Sequence, residues 1–179
     1  QDIRWTYQEF VEQVDRLALG LLQLDIEPGD RVGIWSPNRY EWVLTQFATA
    51  KIGAIMVCVN PAYRLYELEY ALNKVECKAI ITAPRFKSSR YLDMLFELAP
   101  ELHECEPGNL NSVKLPHLKT VIRLGNETSP GMYNFGAVCD LGTHAQAKAL
   151  KELGASLGAS DPINIQFTSG TTGTPKGAT

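Results

Sequence analysis

Residues 31–59 read RVGIWSPNRYEWVLTQFATAKIGAIMVCV, and the order of patterns within this stretch decides the fold. Arg31 to Trp35 is a short β-branched and aromatic run, the composition of a strand. Ser36-Pro37-Asn38 breaks it. A helix fits from about Tyr40 to Ile52, with Trp42, Val43, Phe47, Ala50 and Ile52 supplying apolar surface. Gly53 suits its C-terminal stop. Ala54 to Val59 is then unbroken apolar sequence, the pattern of a strand covered on both faces. A strand, a helix and a second, fully apolar strand predict two parallel strands joined by a helical crossover.

Working outward, the same alternation continues. Upstream, Thr6 and Glu9 have the T-x-x-E spacing of a capping box. Phe10, Val11, Val14, Leu17, Ala18, Leu21 and Leu22 follow at helical spacing to about Leu24, and Pro28-Gly29-Asp30 makes a turn. Downstream, Asn60-Pro61 ends the apolar strand, and Leu65, Leu68, Leu72 and Val75 mark a helix over 65–75. Ala79 to Thr82 reads as a strand. Ser88 or Ser89 is expected to cap a helix carrying Tyr91, Leu92, Leu95, Phe96 and Leu98, which stops before Pro100. Glu101 to Pro116 reads as a long irregular connection, and Thr120 to Leu124 as a strand. The stretch from Asn126 to Ser160 shows no strong period beyond a helix over about 144–153. Ile163 to Phe167 is the last strand. This order predicts an α/β fold, a mostly parallel sheet with helices on both faces. No repeat, low-complexity segment or linker divides the chain, so residues 1–179 are expected to be one domain, incomplete on its C-terminal side.

Composition narrows the function classes. Apolar residues make up 45% and charged residues 21% of the chain, which fits a folded globular protein rather than a disordered one. The formal net charge of −3 gives no support to nucleic-acid binding. No apolar run reaches the length needed to cross a bilayer. Cys58, Cys77, Cys105 and Cys139 include no C-x-x-C pair and are spaced irregularly, which reads as four reduced thiols. Both ends read as cut. The chain opens at Gln1 without an initiator Met or targeting segment, so the missing segment says little about location.

The strand at 163–167 leads into Thr168-Ser169-Gly170-Thr171-Thr172-Gly173-Thr174-Pro175-Lys176-Gly177, the one stretch with an obvious chemical purpose. Its glycines let backbone N–H groups approach an anion closely. The hydroxyls of Thr168, Ser169, Thr171, Thr172 and Thr174 can donate to phosphate oxygens, and Lys176 adds a compact positive charge. Pro175 fixes its own φ and restricts Thr174. A flexible linker would share the glycines but has no need of a Pro-Lys-Gly ending directly after a buried strand. An ordinary P-loop needs Gly before its lysine and Ser or Thr after it. Here Pro175 and Gly177 take those places.

That loop resembles the signature of the adenylate-forming superfamily, which includes acyl-CoA synthetases, the adenylation domains of peptide synthetases and firefly luciferase. Thr6-Tyr7-Gln8-Glu9-Phe10 is similar to the family's opening helix, and Gly29-Asp30-Arg31-Val32 to the approach to its first strand. Asn60-Pro61-Ala62-Tyr63 followed by Glu67-Leu68 resembles a segment of fatty-acid-activating members, and within the superfamily the chain as a whole looks most like the mitochondrial medium-chain acyl-CoA synthetases. The resemblance covers nearly the whole chain, as the early part of a large N-terminal domain. It implies ATP-dependent activation of a carboxylic acid to an acyl-adenylate, with loss of pyrophosphate, then transfer to coenzyme A with loss of AMP. Magnesium would accompany the ATP, the partners would be the fatty acid, ATP and coenzyme A, and the location would be the mitochondrial matrix. Thr168, Ser169, Thr171, Thr172 and Thr174 would donate to the β- and γ-phosphates, Gly170 and Gly173 would allow backbone approach, Pro175 would hold the loop's end, and Lys176 would balance charge. No residue of the chain is implied as a covalent catalyst. The departure is Asp25, where relatives often carry Gly at the end of the first helix.

Other candidates read as structural. His103-Glu104-Cys105 lacks a second pair at metal-ligand spacing. His117 and His144 are isolated. Tyr63, Arg64 and Tyr66 read as the packed start of a helix, and Trp5, Trp35 and Trp42 as core or its edge. Ser36 lacks the G-x-S-x-G context of a hydrolase nucleophile. The resemblance puts the adenine pocket, most of the acyl site and the lid outside this chain. The 179-residue chain alone is therefore expected to show no turnover in a thioester-formation assay, and measurable acyl-CoA would contradict that.

Overall fold

Helix α1 (Tyr7–Gln23) begins with the capping box that its sequence spacing predicts. The N–H of Glu9 donates to Thr6 Oγ1 at 3.2 Å, and the N–H of Thr6 donates to Glu9 Oε2 at 2.7 Å. The computed structural model describes residues 2–168 and 174–179. After α1 come β1 (Arg31–Trp35), α2 (Tyr40–Lys51), β2 (Ile55–Cys58), α3 (Leu65–Lys74), β3 (Ala79–Thr82), β4 (Arg85–Phe86), β5 (Ser89–Arg90) and α4 (Tyr91–Leu98). A 3₁₀ turn at Pro100–His103 leads on to β6 (Thr120–Arg123), β7 (Met132–Asn134), α5 (Phe135–Cys139), α6 (His144–Ser156), β8 (Asn164–Thr168) and β9 (Lys176–Ala178).

Seven strands form one sheet in the order β7-β6-β3-β1-β2-β8-β9, and all neighbours run parallel except β8 and β9. The fold is the expected α/β arrangement, a mostly parallel sheet flanked by helices. β1 sits at the centre, with Val32 opposite Met56 of β2 on one side and Ala79 of β3 on the other. The chain leaves β1 toward β2 through α2, then crosses back over β1 through α3 to reach β3. Right-handed crossovers in opposite directions place α2 and α3 on opposite faces. α1 joins α2 and packs against α5, while α3 packs with α4. Gly20 marks the closest approach of α1 to α5, since a methyl group there would lie 1.9 Å from the carbonyl oxygen of Val138. β1, β2 and β3 are buried along nearly their whole length, so their apolar runs carry no alternation.

The core strands and α1–α4 fall close to where the sequence pattern puts them. Other regions differ. Ser88 and Ser89 do not cap α4: the N-cap is Arg90, without a side-chain bond, because Ser89 and Arg90 pair with Phe86 and Arg85 in a short antiparallel hairpin. Residues 101–116 are mostly irregular but not loose. They carry the end of the 3₁₀ turn and bury Leu102, Leu110, Ser112 and Leu115. β7 and α5 emerge from the stretch without period, where Met132, Phe135 and Val138 supply three buried side chains. Such short elements, held by tertiary contacts, leave too few repeats for a periodicity to register.

Three helices end in the same way. After α2, Gly53 (φ 72°) donates to the carbonyl of Ala50 at 3.2 Å, and the next N–H, that of Ala54, donates to Thr49 at 2.9 Å. Asp25 (φ 56°) and Glu76 (φ 49°) take the same place after α1 and α3. Their N–H groups reach Leu22 and Asn73, and those of Ile26 and Cys77 reach Leu21 and Leu72. This is the Schellman motif, in which one left-handed residue satisfies the last carbonyls and turns the chain into the core. Only the second of the three has the glycine that the conformation favours. Both side chains are exposed, and Glu76 forms an ion pair with Arg31 at 2.9 Å. Asp25→Gly in the full-length protein is therefore expected to add about 1 kcal/mol of stability, read as a higher denaturation midpoint with an unchanged slope. An unchanged or lower midpoint would contradict this.

Candidate phosphate-binding site

The carboxyl ends of β1, β2, β3 and β8 open on the same side of the sheet because these strands run parallel. Open sheets of this kind offer ligands a crevice where the crossovers change direction, here between β1 and β3. Trp35 and Tyr91, both fully buried, stack with ring centroids 3.7 Å apart and planes 12° from parallel. Burial pushes the Tyr91 phenol up to about 12, so it stays protonated and donates to the carbonyl of Pro61 at 2.6 Å. The indole N–H of Trp35 donates to the carbonyl of Asn60 at 3.2 Å. The stack thus clamps the turn that leaves β2, and Asn60 Oδ1 tightens it by accepting from the N–H of Ala62 at 2.9 Å.

β8 and β9 carry the loop identified in the sequence. Thr168 closes β8 and stands opposite Lys176, the first residue of β9, with Phe167 opposite Gly177 and Gln166 opposite Ala178. The candidate loop is therefore the connection of an antiparallel hairpin at the edge of the sheet. Thr168 Oγ1 donates to the carbonyl of Lys176 at 3.4 Å. Thr174 and Lys176 are exposed and Pro175 is half-buried. Ser169, Gly170, Thr171, Thr172 and Gly173 lie outside the described residues.

The strand leading into the loop is not buried on both faces, as its apolar ends suggest. Ile165 is its one buried residue, and Phe167 on the same face meets the ring of Tyr63 edge-on at 6.4 Å. The other face is polar. Asn164 Nδ2 donates to Gln46 Oε1 at 2.8 Å and to Cys58 Sγ at 3.5 Å, and Gln166 Nε2 donates to the same sulfur at 3.0 Å. Burial raises the Cys58 thiol above its ordinary value, against the two amide bonds that lower it, so the thiol stays protonated and a poor nucleophile.

Sequence reasoning missed Tyr70. It lies on α3, and its hydroxyl donates to the carbonyl of Pro175 at 3.2 Å, reaching the loop's exit from 105 positions away in the chain. Only its i, i+4 spacing from Tyr66 marks it in the sequence. Of the residues set aside, Arg64 is the exposed N-cap of α3, Tyr66 is exposed, and Tyr63 packs on Phe167. Ser36 is buried and donates to the carbonyl of Pro37 at 2.8 Å. His103 stacks on Phe96 at 4.3 Å. Among the described residues no group of three or more His, Cys, Asp or Glu side chains could hold a metal ion, and the four cysteines are free. A cavity of about 880 Å³ lies beyond β3 and β6, lined in part by Arg85, Arg90 and Arg123. Two of these guanidinium groups are already matched, Arg90 by Asp93 at 2.7 Å and Arg123 by Glu127, so the cavity is of mixed charge.

The comparisons with known proteins agree with this architecture. The AMP-binding enzyme family matches residues 1–179. The mitochondrial medium-chain acyl-CoA ligase ACSF2 of Danio rerio is 50% identical over 177 residues, covering 99% of this chain and 29% of the relative. The human protein of the same name is 47% identical over 180 residues, with 100% and 29% covered. This chain thus spans less than a third of the length of these relatives. Among solved structures, acetoacetyl-CoA synthetase from Streptomyces lividans superposes with a TM-score of 0.75 at 25% identity, covering 96% of this chain and 25% of that one. The anthranilate CoA ligase AuaEII in complex with anthranoyl-AMP gives 0.74 at 22% identity, covering 98% and 29%. On a match that runs the length of its sequence, the chain belongs to the AMP-binding enzyme family.

Proposed function

We propose that the full-length protein carrying this chain is an AMP-forming acid–CoA ligase acting on fatty acids of medium chain length. The observation that carries the reading is the hydroxyl- and glycine-rich stretch from Thr168 to Lys176, in a chain that belongs to the AMP-binding enzyme family. The medium-chain preference and a mitochondrial matrix location rest on the relatives that share about half of its residues. In the first step the acid's carboxylate attacks the α-phosphate of ATP, forming the acyl-adenylate and releasing pyrophosphate. In the second the thiol of coenzyme A displaces AMP and forms the thioester.

The chain's own contribution belongs to the first step. Negative charge builds on the departing pyrophosphate, and donors already in place stabilise it without reorganising. Ser169, Thr171, Thr172 and Thr174 donate from their hydroxyls, Thr168 does so by turning its hydroxyl from the Lys176 carbonyl, Gly170 and Gly173 let the backbone come close, Pro175 stiffens the exit, and Lys176 supplies a compact positive charge. Magnesium would accompany the ATP as part of the substrate and would supply further screening of the phosphate charge. Nucleotidyl transfer of this sort depends on positioning and electrostatics rather than on a protein nucleophile, which fits a site built of hydroxyls, N–H groups and one lysine.

The half-reactions separate this role from a general one. In the full-length enzyme, Lys176→Ala and Thr172→Ala are expected to slow adenylation by about 10²-fold while leaving thioester formation from supplied acyl-adenylate largely intact. Equal losses in both would remove the loop from the pyrophosphate. With a panel of acids, kcat/KM is expected to peak at medium length. A maximum at acetate or at long-chain acids would overturn the acyl assignment.

A further inference from the structure

The contact between α3 and the hairpin arm after the loop has no place in the chemistry described so far. Tyr70 Oη donates to the carbonyl oxygen of Pro175 at 3.2 Å. That carbonyl belongs to the peptide unit joining Pro175 to Lys176, so the bond acts on the plane from which Lys176 starts. The pyrrolidine ring already holds the φ of Pro175. A donor on its carbonyl restrains the remaining torsion, ψ, and on the far side Lys176 pairs with Thr168. The backbone entering Lys176 is therefore restrained in turn by a ring, a side-chain hydrogen bond and a strand pairing.

The donor is itself held firmly. Leu68, Ala71 and Leu72 seat α3 in the core, and Glu67 Oε2 accepts from the N–H of Arg64 at 3.1 Å at its start. The turn before α3 is clamped by Trp35 and Tyr91. Tyr63 in that turn also touches the other arm of the hairpin through Phe167. One rigid segment, residues 60–74, thus meets both arms of an edge hairpin whose outer strand is exposed along its length.

We propose that Tyr70 is a positioning residue for Lys176, setting through the Pro175 carbonyl the backbone from which the lysine reaches the phosphates of ATP. This rests on the phosphate-binding reading of Lys176. A long side chain on a loose edge strand samples many positions, and a lysine that stabilises developing charge is effective only where it is already in place. Removing the hydroxyl oxygen leaves the ring and its packing but frees the peptide plane.

Tyr70→Phe in the full-length enzyme makes the test, alone and combined with Lys176→Ala. The single change is expected to raise KM for ATP or slow adenylation by about three- to tenfold, the range of one hydrogen bond. KM for the acid, thioester formation from supplied acyl-adenylate and the melting temperature are expected to stay the same. In the Lys176→Ala background it is expected to add less than about twofold, because it acts through the lysine. Three outcomes overturn the proposal: no effect on the ATP step where Lys176→Ala has one, a full independent loss in the double variant, or an equal fall in both half-reactions with a lower melting temperature. If Lys176→Ala itself leaves adenylation intact, the phosphate reading fails and the positioning role fails with it.

Discussion

The parallel pairing of β1 with both β2 and β3 is the constraint from which the rest of the structure follows. Parallel neighbours cannot be joined by a tight turn, so each needs a crossover, and both faces of the central strands must be covered. α2 crosses on one side and α3 on the other. With the faces covered, only the ends of the strands remain open to ligands. The amino ends are closed by polar contacts: Lys78 Nζ pairs with Asp30 at 2.6 Å and donates to the carbonyl of Asp25, while Arg31 reaches Glu76 and the carbonyl of Val75. Chemistry is left to the carboxyl ends.

At the carboxyl end of β1, Trp35 stacks on Tyr91, the first residue of α4. Both rings keep a polar atom, and each spends it on a carbonyl of the turn after β2. Buried aromatic side chains with one hydrogen-bonding tip do this readily, because the ring gains from burial and the tip needs a partner. The outcome is a stiff segment from residue 60 into α3, standing beside the hairpin of β8 and β9. The two strands of the hairpin have little burial of their own, with Ile165 the one buried residue among those described. Its order is borrowed from β2, Tyr63 and Tyr70.

The legible parts of the fold share a physical cause. α1, α2, α3 and the strands β1, β2, β3 and β6 are each dictated by a local pattern: a capping box, an apolar period or an unbroken apolar run. Elements without such a pattern stayed hidden. β7 and α5 together span eight residues, from Met132 to Cys139, and exist because β6 and α1 offer them surfaces. The hairpin of β4 and β5 takes Ser89 from the cap it resembles and makes it a strand residue. Asp25 is a case where sequence and structure agree on a strain. A residue that departs from glycine at a helix end does adopt the left-handed conformation, because the Schellman bonds of Asp25 and Ile26 require it.

The candidate site divides in the same way. Local sequence alone carries the proposal for its chemistry, since the anion-binding reading rests on an alternation of glycines and hydroxyls ending in Pro175-Lys176-Gly177, that is, on residue types and their spacing. It determined the α/β class, because hydrophobic period is a property of neighbouring residues. What only the tertiary structure decided is how the loop's end is held: by an antiparallel partner, by Phe167 against Tyr63, and by the Tyr70 hydroxyl on the Pro175 carbonyl. The last two contacts join residues about a hundred positions apart in the chain. No local pattern records such a pairing, because the crossover of α3 over the sheet is what brings them together.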